Sequence, residues 1–101
     1  MKWNEFAHWG AKISDWAAEY HSNLRDYPVR AQVKPGEITA SLPAQPPEGA
    51  EDMEKIIEDF ERVVMPGITH WQHPRFFAYF PANAAPPSML AEMLVSTIAA
   101  M

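Results

Sequence analysis

Large apolar side chains recur at Trp3, Phe6, Trp9, Ile13, Trp16, Tyr20 and Leu24. Steps of three and four place them on one helix face, because 3.6 residues complete a turn. The spacing predicts an amphipathic helix from Trp3 to Leu24 with a stripe of tryptophans that needs a partner surface. Asp26-Tyr27-Pro28-Val29-Arg30 breaks the repeat. Pro28 biases Tyr27 away from helical backbone, and the segment through Lys34-Pro35-Gly36 reads as an extended connector. Glu37 to Leu42 is long enough for one short helical turn before Pro43. Residues 43–50 form a Pro-rich linker with a preference for polyproline geometry.

Met53, Ile56, Ile57, Phe60, Val63 and Val64 restore the helical repeat and predict a second amphipathic helix over 51–65, ended by Pro66-Gly67. Acids crowd its first turn, where the helix dipole favours them. Glu51–Lys55 and Glu58–Arg62 are spaced as i,i+4 ion pairs. Residues 68–87 carry His70, His73, five aromatics and four prolines, so neither a helix nor a central strand runs far there. A short edge strand over 75–80 fits that stretch. Rigid aromatic surface fenced by prolines makes a poor core and a good pocket wall. Pro86-Pro87 suit the first turn of a third helix. Its continuation to Met101 holds Glu92 as the sole charge, so it reads as a buried helix. Three helices with a wide apolar stripe leave much apolar surface uncovered within 101 residues. The fold class is an all-α segment of about three helices with an aromatic, Pro-rich loop.

The net charge of −5 comes from residues 48–62, where Glu48, Glu51, Asp52, Glu54, Glu58, Asp59 and Glu61 oppose only Lys55 and Arg62. Their alternation with cations on a polar helix face reads as a solvated surface. The remainder is neutral, without the basic stripe that nucleic acid requires. No apolar run approaches the ~18–20 residues of a membrane span, and no N-terminal h-region marks a signal peptide. Cysteine is absent, which excludes disulfides and thiolate chemistry and accords with a cytoplasmic protein. Four glycines against ten prolines disfavour a phosphate-cradling loop.

Individual groups give little chemistry. His70 and His73 could share a helix face and a metal, but the neighbouring prolines oppose that helix and no third ligand stands at a suitable spacing. They read as hydrogen-bonding or packing histidines, and His8 and His21 as surface residues. No serine lies in a nucleophile-elbow context. Lys2, Lys12, Lys34 and Lys55 fall on exposed faces or in connectors, not among apolar residues as a lysine of depressed pKa must. The chain ends at Met101 without a Gly, a basic last turn or a polar cap, as expected of a piece of a longer protein.

Residues 66–82, Pro-Gly-Ile-Thr-His-Trp-Gln-His-Pro-Arg-Phe-Phe-Ala-Tyr-Phe-Pro-Ala, resemble a stretch near the N-terminus of the group II pyridoxal-phosphate-dependent amino-acid decarboxylases, the aromatic-L-amino-acid, tyrosine and histidine decarboxylase family. Phe6, Gly10, Asp15, Tyr20, Val33-Lys34-Pro35-Gly36, Leu42-Pro43, the helix at 51–65, and Pro87-Ser88 through Glu92-Met93-Leu94 follow the same order and spacing. The resemblance covers all 101 residues.

It implies the N-terminal part of a fold-type I pyridoxal-phosphate-dependent architecture. Residues 1–85 would form a helical segment wrapping the other subunit of a homodimer, with a substrate loop at 66–85. Residues 86–101 would lead into a cofactor-binding large domain. Trp71, Tyr79, Phe80, Pro81 and Ala82 are implied at or near the substrate side chain. Relatives acting on catechols commonly carry a hydroxyl residue after the Phe-Pro pair, and Ala82 departs from that. The family's catalytic lysine, ring-stacking histidine, pyridine-pairing aspartate and phosphate loop have no counterparts here, so catalytic and cofactor contacts are expected outside this chain. The competing reading is a stand-alone helical dimerisation module without catalysis. An open frame past Met101 encoding an Asn- or Ser-x-His-Lys motif would separate the two.

Overall fold

A computed structural model describes residues 1–99. Helix α1 spans Trp3–Ser22 and is followed by a 3₁₀ turn at Leu24–Asp26. The Glu5 carboxylate accepts the Lys2 backbone N–H at 2.6 Å and closes the first turn of α1. The irregular connector ends at Gly36, whose φ of +85° is a left-handed conformation that suits glycine, and α2 occupies Glu37–Ser41. After an exposed linker, α3 covers Met53–Asp59 and continues through one wider π turn at Phe60–Val64 and a 3₁₀ turn at Met65–Gly67. Helix α4 spans Pro86–Ile98. The described residues contain no strand.

Several sequence expectations change in detail. The second helical segment begins at Met53 and runs past Pro66 to Gly67, because Pro66 sits early in the 3₁₀ turn, where its missing N–H leaves no bond unmade. Lys55 meets Glu51 at 3.7 Å as the spacing predicts, but Arg62 pairs with Asp59 at 2.7 Å and not with Glu58. The π turn starting at Phe60 widens the helix there and alters the register in which Arg62 meets the preceding turn. The edge strand expected over 75–80 is replaced by irregular chain. Phe76 N–H closes a turn onto the His73 carbonyl at 3.0 Å, and Tyr79 takes a φ of 54°.

The core is small and gathers at one end of α1. Leu24 and Val63 are its buried apolar residues, and His70 and His73 are buried beside them. Trp16 stacks on Tyr20 at 5.3 Å and meets the edge of Phe60 at 5.4 Å. Its indole Nε1–H donates to Glu61 Oε1 at 2.8 Å, tying α1 to the π turn. Thus the acidic face is solvated except where Glu61 fastens the helices together. Gly67 lets α2 dock, since a Cβ at Gly67 would stand 2.7 Å from Ile38 Cγ1.

Away from that end the chain lacks a cover. Trp3 and Phe6 pair edge to face at 5.6 Å yet remain exposed. The described residues of α4 are exposed throughout, contrary to the buried helix its composition predicts. Within this chain α4 reaches α1 at Met93, whose methyl lies 3.9 Å from the Cβ position of Gly10. The accessible surface is 8730 Å², against roughly 5,800 Å² for a compact monomer of this mass. The radius of gyration is 15.9 Å, where a compact chain of this length has about 13 Å. No described helix is long and apolar enough to cross a membrane.

Candidate functional site

The aromatic loop is mounted on a pair of buried histidines. His70 backbone N–H donates to the Val29 carbonyl at 2.8 Å, which fixes the start of the loop against the connector after α1. The Tyr20 hydroxyl and His70 Nδ1 share a 2.6 Å hydrogen bond, and Tyr27 packs against the same imidazole at 4.7 Å. Burial, reinforced by the neighbouring His73, lowers the His70 pKa below the usual histidine value. Burial, reinforced by Tyr27, raises the Tyr20 hydroxyl above the usual tyrosine value. Both shifts keep the contact neutral.

His73 is oriented by backbone groups. Arg75 N–H donates to His73 Nδ1 at 2.9 Å, so that nitrogen carries no proton, and the Nε2–H faces the Arg25 carbonyl at 3.3 Å. His70 and His73 therefore act as hydrogen-bonding anchors, while His8 and His21 lie on the surface. Among the described residues, no three His, Asp or Glu side chains are grouped to hold a metal.

Beyond this anchor, the Trp71 ring stacks on Phe76 at 5.0 Å and on Tyr79 at 5.7 Å, the latter pair within 14° of parallel. The structure thus joins Trp71 and Tyr79 into one aromatic shelf. Phe80 is fully exposed, Tyr79 is 82% exposed, and Pro81 and Ala82 are also exposed. Gln72 is the residue that sequence reasoning missed. Its side-chain Nε2–H donates to the Ala82 carbonyl, and its Oε1 accepts the Ala84 N–H at 3.1 Å. A lone glutamine carries no periodic or motif signal, so its role emerges only once the chain has turned back upon it.

Two clefts flank Tyr27. One of about 210 Å³ is lined by Trp16, Tyr20 and Glu61 among others. The other, about 380 Å³, is lined by Pro28, Val33, Met65, Ile68 and His70 among others. Neither includes Trp71, Tyr79, Phe80, Pro81 or Ala82. The shelf is one open wall, and a pocket around it requires a second surface.

This arrangement of helices and loop is shared with known proteins. Residues 35–101 match the model of the pyridoxal-dependent decarboxylase conserved domain. The chain belongs to that family. It is 44% identical over 91 residues to tyrosine decarboxylase from Papaver somniferum, a match covering 90% of this chain and 18% of the relative. The crystal structure of Rhodiola rosea 4-hydroxyphenylacetaldehyde synthase superposes with a TM-score of 0.90 at 37% identity, covering 98% of this chain and 21% of that one. Catharanthus roseus tryptophan decarboxylase, solved in complex with L-tryptophan, gives a TM-score of 0.88 at 32% identity, covering 97% and 21%. The chain spans about a fifth of the length of these relatives, and its fold is that of the N-terminal segment of group II pyridoxal-phosphate decarboxylases.

Proposed function

We propose that the complete protein containing this chain is a cytoplasmic, homodimeric, pyridoxal-phosphate-dependent carboxy-lyase that converts an aromatic L-amino acid to its amine and CO₂. In this reading, residues 1–85 wrap the partner subunit and residues 86–101 lead into the large domain. The carrying observation is the Trp71–Tyr79 shelf with Phe80 projecting uncovered beside it. Such flat apolar surface favours stacking and apolar burial of an aromatic side chain, with Trp71, Tyr79, Phe80, Pro81 and Ala82 around it. A dicarboxylic substrate would want a bidentate cation, and Arg75 is the loop's one arginine. Ala82 offers no side-chain hydroxyl for a catechol.

This chain does not fit a cofactor cradle. Lys2, Lys12, Lys34 and Lys55 are all exposed, and none lies in the apolar enclosure that lowers an amine's pKa. Pyridoxal phosphate, the electron sink for decarboxylation, is therefore assigned to the rest of the protein. What these residues contribute is a wall that orients the side chain and excludes water from it.

The test measures CO₂ release by the cofactor-loaded complete protein from L-tyrosine, L-tryptophan, L-phenylalanine, L-glutamate and L-aspartate. Preference for the aromatic acids supports the proposal. Preference for L-glutamate or L-aspartate overturns its substrate class, and no CO₂ from any of them overturns the activity.

A further inference from the structure

We infer that Gln72 is a positioning residue that sets the orientation of Phe80 and thereby the choice among aromatic substrates; this rests on the proposed role of the loop as a substrate wall. Phe80 is fully exposed, so no packing within the chain orients its ring. Its direction follows from the backbone on either side. On the N-terminal side, Tyr79 is held by its stack on Trp71. On the C-terminal side, the Gln72 amide grips the chain at both the Ala82 carbonyl and the Ala84 N–H, across ten and twelve residues. Adjacent residues 71 and 72 therefore clamp both arms of the corner, one by stacking and one by a two-point hydrogen bond.

The backbone at that corner is under strain. Tyr79 has a φ of 54°, a left-handed conformation that a bulky L-residue adopts only when its surroundings impose it. Loss of one clamp lets the corner relax toward ordinary φ, which would change the direction in which Phe80 projects. Glutamine suits the task because its amide presents a donor and an acceptor side by side, matching one carbonyl and one N–H. Methionine matches its length without either group. Glutamate keeps the acceptor for Ala84 N–H but turns an oxygen toward the Ala82 carbonyl.

The test compares Gln72→Met, Gln72→Glu and Phe80→Ala in the complete holoenzyme, with kcat and KM for L-tyrosine, L-tryptophan and L-phenylalanine normalised to bound cofactor. Displacement of a positioned contact by about an ångström lowers rates by up to ~100-fold. We expect kcat/KM for the preferred substrate to fall at least about tenfold in both Gln72 variants, with a changed substrate ranking. A purely structural role would lower the melting temperature and leave the normalised ranking intact, and that result overturns the inference. If Phe80→Ala impairs turnover but both Gln72 variants keep parental kinetics, the inference fails while the substrate wall stands. A silent Phe80→Ala removes the wall, and the inference with it.

Discussion

Tyr20 and His70, fifty residues apart, meet in a 2.6 Å hydrogen bond that joins the last turns of α1 to the root of the aromatic loop. Tyr27 covers the imidazole from the connector, and His73 follows one turn later. The position of the loop thus depends on a buried contact whose surroundings favour the uncharged form of both partners.

The pH dependence of this junction follows from the two shifts. A histidine whose folded pKa lies below its unfolded value, about 6.5, contributes full stability above that pH and loses it as pH falls through the folded value. A tyrosine shifted above 10.0 contributes full stability below that pH and loses it as pH rises through its folded value. We expect the loop to be best docked between roughly pH 6.5 and 10. NMR titration of the His70 imidazole protons checks this; protonation at or above the ordinary value would contradict it. Tyr20→Phe leaves His70 Nδ1 without its partner, an expected loss of about 1–3 kcal/mol.

Phe80→Ala separates substrate contact from packing. Full exposure means that truncation removes no packing within this chain. In the complete enzyme we expect kcat/KM to fall ~10- to 200-fold, as loss of an apolar substrate contact does. Normal kinetics with a weakened dimer would instead place Phe80 in a subunit interface.

The uncovered stripe makes a prediction about the isolated chain. Trp3, Phe6, Leu90, Leu94 and Ile98 are all exposed, and the surface exceeds that of a compact monomer by about half. We expect concentration-dependent sedimentation or a broad, non-cooperative thermal transition. A monomer by sedimentation that melts sharply at a concentration-independent temperature would refute this.

Gly67 faces a tighter constraint than the other glycines. Alanine there meets Ile38 at 2.7 Å, whereas nothing lies within 4 Å of a Cβ at Gly49. Gly67→Ala should loosen α2 by about 1–3 kcal/mol, seen as faster amide exchange over residues 37–41. Gly49→Ala serves as the control, and equal exchange in the two variants would show that Ile38 yields freely.

Helical periodicity located α1 from Trp3 and the segment past Met53, while proline positions bounded the short helix before Pro43 and opened the helix at Pro86-Pro87. Those signals are local, since helical spacing and proline chemistry act within one or two turns. The residues of the loop suggested a pocket wall, and its resemblance to the decarboxylase family implied Trp71 and Tyr79 through Ala82 as candidate site residues. Tertiary structure decided the rest. It buried His70 against Tyr20 and Tyr27, joined Glu61 to Trp16, and turned the chain so that Gln72 reaches Ala82 and Ala84. Each of these contacts spans ten to fifty residues and depends on the path of irregular chain between them. The exposure of α4 has the same origin: composition states how much apolar surface a helix carries, while only the folded arrangement determines what covers it.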